Sequence, residues 1–179
     1  MSNLFKQKSI DCGFVIICQN DNIGQINTTI NSIRSNYADN KFCCVFLEHH
    51  YSALEKRFKD LTVFKSEGSI MSSINAGLEQ SLCDGWNFLI MSGTWVRNSL
   101  DRKYSCFLEN EKDILFPVIK RKMNFVDGSI NGVLIHKKSF KDIGKFNSKS
   151  SIDICKLYWA NEAIEKGYRF KGIVGITLT

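Results

Sequence analysis

Apolar and polar positions come in blocks along this chain, and the block lengths set the first expectations. Phe14-Val15-Ile16-Ile17-Cys18 is an unbroken apolar run, the pattern of a strand buried on both faces. A polar stretch, Gln19 to Gly24, follows it. Ile26, Ile30, Ile33 and Tyr37 then recur at helical spacing and predict an amphipathic helix. Phe42 to Leu47 is a second apolar run, ending at Glu48-His49-His50. Strand, long crossover helix and strand together predict a parallel pair.

The rhythm continues through the first half. Ser52 to Lys59 reads as a short helix and Leu61 to Phe64 as a short strand. Ser69 is placed to cap a helix with Ile70, Ile74, Leu78 and Leu82 on one face. Asp84-Gly85 is a turn, and Trp86 to Met91 is another buried strand. Such alternation is the signature of an open α/β sheet. After Trp95 the order becomes irregular: a helix over 98–109, a strand over 113–120 interrupted at Pro117, and a basic loop Lys120-Arg121-Lys122. A strand over 131–136 follows, with a short helix over 138–143 stopped by Gly144. A longer helix over 152–166 is stopped by Gly167, and a last strand covers 168–176. The expectation is α/β, with a mostly parallel first half and a mixed second half.

Composition narrows this only a little. The 179 residues, 44% hydrophobic and 23% charged, suit one domain over 1–179 with a substantial core, residues 1–11 forming a disordered or loosely packed arm. No apolar run approaches the roughly 20 residues that span a bilayer. The amino terminus lacks the apolar stretch of a secretory signal, so the expected compartment is the cytoplasm. Seven cysteines, an odd number with no C-x-x-C pair, predict reduced, buried thiols. Cys43 and Cys44 are strand neighbours pointing to opposite faces, which argues against zinc. The net charge of +6 suits anionic partners. Its lysines and arginines are spread along the chain apart from the 120–122 and 137–138 groups, which places nucleic acid last among them.

Four ordered segments carry a resemblance. They are Val15 to Asp21 with Thr29 to Ile33; Ser66-Glu67-Gly68 with Ser73-Ile74-Asn75-Ala76-Gly77-Leu78; Trp86 to Trp95; and Asn131 to Phe140 with Ile143-Gly144-Lys145-Phe146-Asn147. Together they resemble a family-2-type glycosyltransferase with the GT-A fold, a three-layer nucleotide-diphospho-sugar transferase architecture. The resemblance implies a nucleotide-sugar donor, a glycan or other hydroxyl acceptor, and a donor site at the carboxyl ends of the parallel strands. It implies that Gln19, Asn20 and Asp21 flank the nucleotide, that Glu48 meets uracil or ribose, and that Asn75, Ser92 and Thr94 lie at the donor. Glu48 reads equally well as a solvated acid at a strand end. His49 and His50 read as stacking or phosphate contacts, or as surface histidines. The chain is short for the family, so the acceptor is expected in an open groove, on a partner chain or on a second copy.

The departures are as informative. The family's strand ends in Asp-x-Asp, which holds Mn2+ or Mg2+ on the diphosphate; here the turn is Ser92-Gly93-Thr94, whose hydroxyls are weak ligands for a hard cation. Cationic substitution by Arg97, Lys120, Arg121 or Lys122 is one alternative, with Arg121 the chosen donor contact. A metal held by His136 and Asp127 is another, and a plain solvated basic loop a third. The family's acidic base pair falls at Cys155-Lys156, leaving Asp153 as the candidate base or simply a helix-start acid facing the dipole. Trp95 reads as a sugar platform or as core, and Trp159 as core. A catalytically silent scaffold is the alternative to an active enzyme.

Overall fold

The computed structural model describes residues 10–18, 23–37, 41–47, 51–59, 61–66, 68–97, 100–118, 124–174 and 178. The strands are β1 (Cys12–Cys18), β2 (Lys41–Leu47), β3 (Thr62–Ser66), β4 (Trp86–Met91), β5 (Asp113–Pro117), β6 (Val133–His136) and β7 (Arg169–Ile173). The helices are α1 (Ile23–Asn36), α2 (Tyr51–Arg57), α3 (Ile70–Gln80), α4 (Leu100–Ser105), α5 (Lys137–Ile143) and α6 (Ile152–Glu165). All seven strands form one sheet in the order β3-β2-β1-β4-β6-β5-β7. β1 runs parallel to β2 and β4, β2 is parallel to β3, and β5 is parallel to β7. β6 is antiparallel to both β4 and β5.

Every residue of β1 is buried, which explains the unbroken apolar run. Its side chains alternate between two cores. Val15 and Ile17 join Cys43, Leu89, Ile74, Leu78, Phe140 and Trp159 on the face covered by α3, α5 and α6. Phe14 and Ile16 join Cys44, Phe88, Ile30, Leu54 and Tyr104 on the face covered by α1, α2 and α4. The result is a three-layer α/β/α sandwich. Cys43 and Cys44 fall in different cores, as strand alternation requires, and no disulfide links the seven cysteines. Cys106 is the one on the surface.

Several expectations are corrected. Leu82 lies past the end of α3, which stops at Gln80, and is exposed rather than part of its apolar face. Of the helix predicted over 98–109, the described residues form α4 over Leu100–Ser105, anchored by buried Leu100 and Tyr104, and the helix ends before 109; residues 98 and 99 lie outside the described residues. Pro117 closes β5 in the sheet interior, and the ladder continues past it through the Val118 N–H on the Ile173 carbonyl. Trp95 is 47% exposed, so it is not core, whereas Trp159 is buried and stacks on Phe146 at 4.5 Å. No helix among the described residues is long and apolar enough to cross a membrane.

Candidate functional site

The sheet order contains one switch point that matters. From β1 the chain moves outward to β2 and β3, then returns through α3 to β4 on the other side of β1. The strand order reverses between β1 and β4, and outside the carboxyl ends of strands at such a reversal an open α/β sheet leaves a crevice. Ser92-Gly93-Thr94 forms its floor on the β4 side. The Ser92 N–H extends the ladder to the Ile17 carbonyl at 2.9 Å, and the Gly93 N–H reaches Gln25 at the start of α1. Gly93 has φ +85°, a left-handed conformation that disfavours other residues.

Asn131 braces this turn. Its Oδ1 accepts the Met91 N–H at 2.9 Å, and its Nδ2 donates to Thr94 Oγ1 at 3.0 Å. Thr94 is buried with that hydroxyl engaged. Asn131 is delivered by the loop before β6: the Gly132 N–H bonds Leu89 O and Tyr104 Oη bonds Gly132 O, both at 2.6 Å. Gly132 itself has φ +87°. Beyond the turn the chain is stitched to α1, since the Val96 N–H reaches Ser32 Oγ and Asn36 Nδ2 reaches Val96 O, each at 2.9 Å. In the sequence Asn131 opens a strand and the fourth resembling segment, and its Asn-Gly pair is the available turn signal. We expect Asn131→Ala to cost about 1 kcal/mol for each of the two bonds lost, read as a lower urea midpoint with unchanged slope. Unchanged stability would show that the brace is idle.

α6 runs antiparallel to the strand that follows it, so its first turn lies at the same carboxyl edge of the sheet. Asp153 sits there, with its side chain 81% exposed and one oxygen 3.3 Å from Lys156 Nζ. Lys156 is buried, and its ammonium also donates to the Gly128 carbonyl at 2.8 Å, in the loop that leads to Asn131. A buried lysine is uncommon unless paired, and this one props the loop from behind. Asn75 is occupied: its Nδ2 donates to Phe146 O at 2.8 Å and its Oδ1 accepts the Phe146 N–H at 2.9 Å. These two bonds tie α3 to the segment that leads into α6.

His136 is a second correction. β6 is antiparallel, so His136 pairs with Trp86 at the amino end of β4, the sheet edge opposite the crevice. There its Nδ1 accepts the Lys138 N–H, and burial pushes its pKa down, against the opposing pull of Glu111. It cannot join Asp127, which belongs to the carboxyl edge and pairs with Asn124 at 2.7 Å. Among the described residues no group of three or more His, Cys, Asp or Glu side chains could hold a metal. Gln19, Asn20, Asp21, Glu48, His49, His50, Lys120, Arg121 and Lys122 lie outside the described residues. The groove lined by Glu79, Phe140, Lys141, Gly144 and Lys145 lies by the carboxyl end of α3, away from the crevice, and a Lys145–Glu79 ion pair at 2.7 Å spans it.

GalNAc-T7, solved with UDP, GalNAc and Mn2+, superposes with a TM-score of 0.73 at 9% identity over 90% of this chain and 42% of its own. The fold is GT-A-like. The bifunctional IspDF of Campylobacter jejuni matches with a TM-score of 0.64 at 10% identity, covering 93% of this chain and 50% of that one. Rv0371C of Mycobacterium tuberculosis H37Rv, solved with manganese, gives 0.58 at 10% identity, covering 92% and 88%. The chain thus spans about half the length of the first two. No family model and no curated protein matches the sequence. At such identities the likeness shows the fold alone, and the sites must be argued from this chain.

Proposed function

We propose that the chain binds a nucleoside-diphosphate sugar in the crevice between β1 and β4 and transfers the sugar to a hydroxyl of a glycan or other acceptor. The observation that carries this reading is the braced turn Ser92-Gly93-Thr94 at the switch point of a GT-A-like sheet. In this reading Gln19, Asn20 and Asp21 flank the nucleotide and Glu48 takes the ribose hydroxyls. Ser92 and Thr94 line the diphosphate. Asp153, open to solvent at the same edge, takes the acceptor proton as the hydroxyl attacks the anomeric carbon and the diphosphate leaves.

The described residues do not fit a divalent cation: the turn offers hydroxyls and a glycine, and no acidic cluster stands near it. The leaving diphosphate then needs fixed cations, and Arg121 is the candidate. Calorimetry with a panel of nucleoside diphosphates, with and without Mn2+, tests this. We expect binding independent of Mn2+ and weakened about tenfold or more by Arg121→Ala, the loss of one charge-assisted contact. Asp153→Asn should leave binding intact and lower turnover by roughly 10²–10⁴. Failure of every nucleotide to bind, with or without metal, would remove the donor site altogether. One observation favours a second reading, a scaffold that binds without transferring: the turn that carries the family's carboxylates has none. Nucleotide binding with no sugar transfer or donor hydrolysis would select it.

A further inference from the structure

α6 is apolar on both sides, and only one side is used. Cys155, Trp159, Ala160 and Ala163 pack into the core. On the opposite face Ile154, Leu157, Tyr158 and Ile164 are 47%, 46%, 62% and 59% exposed. Their spacing places them, with Asn161 in the middle, on one continuous stripe. Most of the large hydrophobic side chains found exposed among the described residues belong to this helix. The stripe leaves on the order of 400 Å² of largely apolar surface open, the size of the largest patch on a typical monomer, where such patches are often functional.

We infer that this face is a two-fold interface between two copies of the chain. Three features select a second copy over other occupants. The border mixes signs, with Asp153 and Glu162 on the two flanks and Glu165 and Lys166 at the carboxyl end. It lacks the basic border of a helix that lies on an anionic bilayer, and it would not repel its own copy. Asn161 carries a donor and an acceptor in one amide, so across a two-fold axis it pairs with itself. A lone asparagine in an apolar helix seam is the device that fixes register and partner number. Antiparallel pairing centred on Asn161 sets Tyr158 against Ile164 of the second copy, an aromatic on an aliphatic, and Leu157 against the methylenes of its Glu165. The stripe is about half of the ~800 Å² that each partner buries in a standard interface, so the pairing is a weak, concentration-dependent one.

The inference stands apart from the sugar-transfer reading, since it concerns assembly alone. It does place the two crevices in one particle, because α6 also carries Asp153. Light scattering and sedimentation velocity of the full chain, from micromolar to near-millimolar concentration, test it. The wild type should show a concentration-dependent shift to twice the monomer mass. Leu157→Glu and Tyr158→Glu should each remain monomeric with unchanged helix content, because both sites are on the surface of the single chain. Asn161→Asp sets two like charges at the axis and should weaken the dimer about tenfold or more, whereas Tyr158→Phe should leave it intact. A wild type that stays monomeric throughout would overturn the interface, and so would one that instead sediments with anionic vesicles. A dimer that survives all three charged substitutions would overturn it equally.

Discussion

Asp113→Ala should destabilise the fold by about 2–3 kcal/mol, the cost of removing a buried carboxylate that two amides and two partly exposed cations share. Asp113 begins β5 and is fully buried. Its carboxylate accepts the Glu109 and Asn110 N–H groups at 2.7 and 3.2 Å, the Arg169 guanidinium at 2.8 Å and the Lys171 ammonium at 3.1 Å. Removing it leaves two cations and two amides facing one another across β5 and β7, with only the exposed Glu109 to compensate. Burial alone would raise the Asp113 pKa, but the Glu109 N–H and the Lys171 ammonium outweigh it, and the net direction is down. The sign for stability follows. The contribution is complete above the ordinary carboxylate value of about 3.9 and is lost as pH falls through the lower folded value. Urea midpoints should therefore fall on acidification below about pH 4 in the wild type. They should fall less steeply in Asp113→Asn, which starts lower. A wild-type-like midpoint for Asp113→Ala at pH 7 would show that solvent substitutes for the carboxylate.

Gly77→Ala should also destabilise, by about 1–3 kcal/mol, although propensity argues the other way. An alanine in a helix interior is favoured over glycine by about 1 kcal/mol. At Gly77, however, a Cβ would lie 2.3 Å from Val15 Cγ1 and 2.9 Å from Val45 Cγ2. Both valines are buried, and β-branched side chains have no spare rotamer to retreat into. α3 lies against β1 and β2 only because this position lacks a side chain, and pushing it away moves Ser69 and Asn75 at the crevice edge. Gly77→Val should be worse still, because two more methyl groups enter the same contact. Thermal unfolding reads both, and a higher midpoint for Gly77→Ala would mean that the helix shifts at little cost.

Much of this molecule was legible in its sequence. The apolar runs at 14–18, 42–47 and 86–91 became β1, β2 and β4, because a strand covered by helices on both faces has no polar positions to interrupt it. The helical spacing of Ile26, Ile30 and Ile33 became the buried face of α1 for the same local reason. These features are set by period and burial, which a sequence carries position by position. Site geometry is of another kind. Asn131 and Thr94 are 37 residues apart, and Asn75 and Phe146 are 71 apart. Nothing in local pattern says that they meet. Whether β6 runs up or down the sheet decides that His136 lies at the far edge while Asn131 lies at the crevice. Strand direction is settled by long-range pairing, not by the residues of the strand. The exposed stripe of α6 shows the same limit from the other side. Its apolar residues fall on both sides of the helix, and only packing of Trp159, Ala160 and Ala163 against the sheet decided which side was left facing solvent.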